Sequence, residues 1–266
     1  MASFEERPVR LWQGGIETEI EIGGSGPPLV YFHGPWGLRH DRAFIASLAA
    51  THRVYAPKHP GTGRTDHEAA HKIDNWLDLM VYYDELLDVL GLERVALVGH
   101  SFGGLVAAEL AATFRARAAR LVLIDPVGLW RDDLPVTNWM VLEEGKRLRA
   151  LFADPAGAAA KRFSVPPDDA AARVAAQVEF VWAQACTGKL VWPIPDKGLK
   201  KHLHRVAAPT LIIWGKEDGI INRAYAGEFA SRIAGSRVEL VDGAAHMPHL
   251  EAPETVARLV RGFLEG

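Results

Sequence analysis

The sequence predicts an α/β fold built on a mostly parallel, eight-stranded sheet, with helices on both faces and one helical insertion. Three observations point to it. Short apolar runs alternate with stretches of helical periodicity at both ends of the chain, the rhythm of right-handed β–α–β crossovers. The inner runs, at 29–32, 95–98, 121–124 and 209–214, are nearly continuous in apolar residues, as strands covered on both faces require. Between about 127 and 205 the strand signals vanish, alanine runs appear at 156–160 and 170–176, and prolines recur at 135, 155, 166, 167, 193 and 195.

The elements follow in order. Residues 9–13 and 16–22 alternate in period two around Gly14-Gly15, which reads as an opening hairpin. The run 29–32 ends at His33-Gly34; a helix over about 40–50, a strand at 53–56 and the turn-rich HPGTGRT segment (59–65) come next. Residues 73–90 space Ile73, Leu77, Met80, Leu87 and Leu90 as one helical face, stopped by Gly91. Strand 95–98, helix 103–114 and strand 121–124 close the first half. After the insertion come strand 209–214, helix 223–234, strand 238–241 and a last helix opening at Pro253 with Val256, Leu259, Val260, Phe263 and Leu264 on one face. Neither flank alone closes a sheet, so the expectation is one core of residues 1–126 and 206–266, interrupted by a helical cap over 127–205.

Composition narrows the function classes. With 266 residues, 48% hydrophobic and 24% charged, the chain buries a sizeable core. Its net charge, 30 − 33 = −3, argues against nucleic acid as a partner, because binding a polyphosphate needs a basic stripe. No apolar run is long enough to span a bilayer, and the opening MASFEERPVR lacks the apolar stretch of a secretory leader, so a cytoplasmic protein without membrane attachment is expected. The single cysteine, Cys186, makes neither an internal disulfide nor a metal cluster. The pairs His67/His71 and His202/His204 lack a carboxylate or histidine to complete a metal site, and no metal is expected.

Gly99-His100-Ser101-Phe102-Gly103 has the form G-x-S-x-G and falls between a strand and a helix. A sharp turn there projects the serine oxygen above the sheet at a helix N-terminus, and the small neighbours let the chain pass close by. Serine needs a base to take its proton and a third group to orient that base. Candidates lie after later strands: Lys216-Glu217-Asp218 follows one, and Asp242-Gly243-Ala244-Ala245-His246 the next.

In GHSFGG, WGKED and GAAHMPHLEAPE, taken in that order, the chain resembles the α/β-hydrolase superfamily over nearly its whole length apart from the insertion. The resemblance implies a cofactor-independent serine hydrolase acting on a small molecule, with Ser101 as nucleophile, His246 as general base then acid, and Asp218 as the carboxylate that orients it. Asp125, in Leu-Ile-Asp-Pro, and Glu217 remain rival acids. His249, His33 and His100 read as packing or backbone-orienting residues. For the oxyanion hole the resemblance implies backbone N–H groups from Phe102 and from the loop His33-Gly34-Pro35-Trp36-Gly37. Pro35 has no N–H, so the second donor passes to Trp36. His59 stands where the family usually carries an acid, and reads as a structural substitution. Serine at 101, where dehalogenases and epoxide hydrolases of this fold use aspartate, disfavours alkyl-enzyme chemistry.

Trp130, Trp139, Met140 and Trp182 are expected on the inner wall of the cap, with Trp36, Phe102 and Met247 beneath. That apolar lining suits a small to medium hydrophobic substrate. The expected bond is a carboxylic ester or lactone, as in a carboxylesterase. Rivals are a carbon–carbon bond in a vinylogous diketone, a cofactor-free perhydrolase reaction, an amide, and, in a different class, a ligand receptor on a hydrolase scaffold. Substrate identity stays open, and so does a homo-oligomer.

Overall fold

The computed structural model describes residues 3–63, 66–192 and 196–266. Arg64 and Thr65 of the HPGTGRT segment and Pro193 and Pro195 of the proline series lie outside the described residues. Eight strands form one sheet: β1 (Phe4–Leu11), β2 (Ile16–Gly23), β3 (Pro28–Phe32), β4 (Arg53–Pro57), β5 (Val95–His100), β6 (Ala118–Ile124), β7 (Thr210–Gly215) and β8 (Arg237–Val241). Their order is β1-β2-β4-β3-β5-β6-β7-β8, antiparallel at β1–β2–β4 and parallel from β4 through β8.

Alternation along the parallel strands splits the core between the two faces of the sheet. Val30, Phe32, Leu97, Leu121, Leu123, Ile212 and Trp214 enter one cluster; Leu29, Tyr31, Val54, Val98, Val122, Ile124, Leu211 and Ile213 enter the other. The α-helices among the described residues, in chain order, are α1 (Arg42–Leu48), α2 (Ala69–Lys72), α3 (Trp76–Val89), α4 (Phe102–Thr113), α5 (Glu144–Leu151), α6 (Ala158–Ser164), α7 (Ala170–Val191), α8 (Leu199–His202), α9 (Ala224–Ala230), α10 (Pro248–Glu251) and α11 (Pro253–Glu265). Helices α3 and α4 cover the first face, and α1 and α11 the second. Residues 102–112 of α4 are all buried, as a helix apolar on every side must be. Helices α5 to α8 all fall between β6 and β7, the segment expected to be helical.

Several expectations are corrected. The first strand stops at Leu11 rather than residue 13, because Trp12 and Gln13 turn into left-handed backbone (φ +54° and +55°) and the Glu85 carboxylate accepts from Trp12 N–H at 2.7 Å. The helix expected over 73–90 starts at Trp76, where Asn75 caps it by accepting from Asp78 N–H. Its inner face is Leu79, Met80, Tyr82, Tyr83, Leu86 and Leu87, which leaves Leu77 63% exposed. The large tyrosines outweigh Leu77 in area buried, and they set the helix rotation.

Candidate active site

The loops that follow β3 to β8 converge at the carboxyl ends of the parallel strands, the end where open α/β sheets bind ligands. Ser101 follows β5 at φ +53° and ψ −113°, a conformation that a side-chain-bearing residue holds only under external constraint, at about 1–3 kcal/mol. The surrounding glycines explain how the turn is tolerated. A Cβ on Gly99 would lie 2.2 Å from Gly103 O, and one on Gly103 would lie 2.0 Å from Phe32 O. Strand, turn and helix therefore touch backbone to backbone.

Ser101 Oγ and His246 Nε2 are 2.9 Å apart, and His246 Nδ1 and Asp218 Oδ2 are 2.8 Å apart. With Asp218 accepting from Nδ1–H, Nε2 is left to accept the serine proton. The other Asp218 oxygen accepts from Ile220 N–H (2.8 Å) and Ile221 N–H (2.9 Å), which locks the carboxylate in place. Ser101 and His246 are completely buried, and so is the Asp218 side chain. Glu217 meets a different fate: it accepts from Ala244 N–H at 3.1 Å and so braces the histidine loop. Asp125 lies beside Asp218, at φ +43°, with Oδ1 accepting from Gly215 N–H at 2.9 Å.

Buried histidines organise the rest. His100 donates Nε2–H to His246 O at 2.8 Å. His33 donates Nδ1–H to Gly34 O and accepts from His59 N–H. His59 donates Nε2–H to His33 O at 2.8 Å and accepts from the Tyr83 hydroxyl. His33 and His59 therefore each need one nitrogen unprotonated, and burial pushes His33 below, and His59 and His100 well below, the ordinary histidine range. His249 donates to Asp41 at 3.0 Å, and Asp41 also accepts from the Tyr31 hydroxyl at 2.8 Å. Asp41 gave no sequence signal, since a buried acid in a polar stretch looks like any loop residue.

Trp36 packs against the site's histidines, its ring 5.7 Å from that of His246 and 6.2 Å from that of His100. Phe102 is fully buried at the start of α4, and among the described residues nothing accepts from its backbone N–H or from that of Trp36. Of the expected wall residues, Trp139 stands 6.4 Å from Trp36, as does Phe163 of α6, which the sequence reading had not singled out. Met247 is buried immediately after His246. Met140 is partly buried, its sulfur close to Gly188 of α7. Trp130 and Trp182 are engaged elsewhere: Trp130 donates to Asp132, and Trp182 donates to Gly61 O while lining a separate cavity of about 630 Å³ with Thr62 and His67. Trp36 and Phe163 also line a cavity of about 190 Å³ with Arg39, Arg147 and Phe180.

Comparison with known proteins identifies the family and the fold. Residues 29–259 match the profile of the Alpha/beta hydrolase family. An uncharacterized protein of Mycobacterium tuberculosis is 28% identical over 94% of this chain and 79% of its own length. The 2-hydroxy-6-oxo-2,4-heptadienoate hydrolase of Pseudomonas putida is also 28% identical, over 94% of each chain. Among solved structures, a bacterial membrane phospholipase A superposes with a TM-score of 0.80 at 21% identity, covering 99% of this chain and 86% of that one. No helix among the described residues is long and apolar enough to cross a membrane.

Proposed function

This chain belongs to the alpha/beta hydrolase family, and from that premise we propose that it is a serine hydrolase cleaving a carboxylic ester or lactone through an acyl-enzyme. The continuous hydrogen-bonded line from Ser101 through His246 to Asp218 carries the reading. Ser101 Oγ attacks the substrate carbonyl carbon as His246 Nε2 takes its proton, and Asp218 stabilises the imidazolium so formed. The carbonyl oxygen, now negative, accepts from the Phe102 and Trp36 backbone N–H groups. His246 then passes its proton to the leaving alkoxide. In the second half a water loses its proton to His246, attacks the acyl carbon and releases the acid, and Ser101 regains the proton.

In this reading residues 127–205 form the cap, and Trp139 and Phe163 on it join Trp36 to give the acyl group an apolar wall. Exclusion of water from such a wall strengthens the interactions that stabilise the oxyanion. A second reading, hydrolysis of a carbon–carbon bond in a vinylogous diketone, draws support from the Pseudomonas putida relative, whose named substrate is a conjugated oxo-dienoate.

Labelling with a fluorophosphonate tests the nucleophile. The wild-type chain takes up one label per molecule and Ser101→Ala takes up none; labelling that survives the substitution overturns the reading. Turnover of short aryl esters and lactones against a conjugated oxo-dienoate then separates the two bonds.

A further inference from the structure

Asp125 sits at the carboxyl end of β6, completely buried and in left-handed backbone at φ +43°. Outside glycine that conformation is sparsely populated, and here the contacts on either side of Asp125 hold it. Its N–H donates to Ile213 O at 3.0 Å, and its Oδ1 accepts from Gly215 N–H at 2.9 Å, so both ends of the residue are tied to β7. Its second oxygen, Oδ2, has no donor among the described residues. What Asp125 faces instead is another acid. One oxygen of Asp125, one of Asp218 and one ring nitrogen of His246 all lie within 4.8 Å of one another, the only such group of three metal-ligating side chains among the described residues.

Two carboxylates with oxygens within 4.8 Å of each other in a buried site do not both stay ionised. The hydrogen bonds decide which one holds the proton. Asp218 accepts from three N–H groups, those of Ile220, Ile221 and the His246 ring, whereas Asp125 accepts from one. Each donor favours the anion, so the negative charge belongs on Asp218.

We propose that Asp125 is kept as the neutral carboxylic acid and donates its O–H to the Asp218 carboxylate, making it a positioning residue for the Ser101–His246–Asp218 line. The proton fills the gap that two acceptors would otherwise leave facing each other, and it completes the shell of donors around Asp218. Burial and the neighbouring Asp218 charge both push the Asp125 carboxyl well above the usual range. The titratable groups around it are Asp218 and His246 within 4.8 Å and Glu251 further off, with His100 behind His246 at 5.2 Å between rings. Asp218 and Glu251 are acids, and against their repulsion the Asp125 carboxyl has one donor, the Gly215 N–H. A neutral donor on Asp218 holds the carboxylate in line with His246 Nδ1–H, which leaves Nε2 facing Ser101 to take the serine proton.

This inference rests on the serine-hydrolase reading for its catalytic consequence, but its chemistry is tested independently. Asp125→Asn keeps a neutral N–H donor in place of the O–H, while Asp125→Ala removes it. The expected result is a loss in kcat of about ten-fold for Asp125→Ala, the rate equivalent of one hydrogen bond, largely rescued in Asp125→Asn. The acid limb of the kcat/KM profile should coincide for Asp125→Asn and wild type. A shift of that limb to lower pH by about half a unit or more in Asp125→Asn means that a negative charge was removed, and overturns the proposal. If Asp125→Asn does not fold, the wild-type chain decides. In ¹³C spectra of its aspartate carboxyls, one resonance should keep the position of the protonated acid from about pH 6 to about pH 8. Every aspartate at the carboxylate position by about pH 6 overturns the proposal. Failure of the Ser101→Ala labelling test would leave that spectrum unchanged, so the two ideas fail separately.

Discussion

His100 donates its Nε2–H to the backbone carbonyl of His246 at 2.8 Å, so the residue just before the nucleophile holds the loop that carries the base. The two side chains of the serine–histidine pair are thereby fixed from one short segment of β5. The His100 ring also lies 4.2 Å from that of His249, which is itself held by Asp41. His100→Leu removes the tether and leaves a buried carbonyl unpaired. It should lower kcat by about 10²-fold with little change in KM and with circular dichroism like that of the wild type. Unchanged turnover would show that the loop holds its place without the tether.

Asp218 and Glu217 are neighbours in sequence with different partners, His246 Nδ1 for one and Ala244 N for the other. Asp218→Asn places an amide against a ring nitrogen that needs an acceptor, and favours the wrong tautomer. Its kcat should fall by about 10⁴. Glu217→Ala should keep kcat within a few-fold of wild type and lower stability by about 1 kcal/mol or less in urea titrations. The reverse ranking would move the acid to position 217.

Gly215 ends β7 where the histidine loop crosses it. A Cβ there would lie 1.9 Å from Ala245 O and 2.6 Å from Ala244 O. Backbone cannot yield as a flexible side chain does, so Gly215→Ala should cost about 1–3 kcal/mol in stability and displace His246 enough to depress turnover. Thermal unfolding and ester hydrolysis on the same sample check both. A fully stable and active variant would show that the loop retreats freely.

Stability should fall as the pH drops through the ordinary histidine range. His33, His59 and His100 are held neutral by burial, with folded pKa values below the ordinary 6.5. Above about pH 6.5 neither state protonates them. As pH falls below that value the unfolded chain takes up protons that the fold refuses, and each group lowers stability by up to about 1.4 kcal/mol per pH unit. Urea midpoints measured from about pH 7.5 down to about pH 5 should therefore fall steeply, and His59→Asn should flatten the slope by about one proton. A midpoint constant over that range would mean that the three rings are protonated in the fold.

Much of this architecture is legible in spacing alone. Apolar runs of four to six residues, each followed by a helical stretch, place the parallel strands, because a strand covered on both faces has no polar side to show. The nucleophile turn is equally local: Gly99 and Gly103 are demanded by contacts of 2.2 and 2.0 Å that no Cβ tolerates. The rotation of α3 was not legible. Leu77 fits the same helical stripe as Met80 and Leu87, and only packing against β1 and α4 shows that Tyr82 and Tyr83 turn inward in its place. The tryptophans behave alike: composition marks Trp130, Trp139 and Trp182 as equals, yet Trp139 alone of the three has its ring against Trp36.

From the sequence by itself came the order of the strands in the chain, the place of Ser101 after β5 and that of His246 after β8, since each depends on residues only a few positions apart. Which carboxylate the imidazole meets was decided by tertiary structure. Asp125, Glu217 and Asp218 all follow strands and share one chemistry, but the bonds that distinguish them span 90, 27 and 28 residues. They depend on how each loop leaves its strand, a left-handed turn at Asp125 and a double N–H grip on Asp218. Geometry of that kind is set by everything packed around it, and no run of neighbouring residues encodes it.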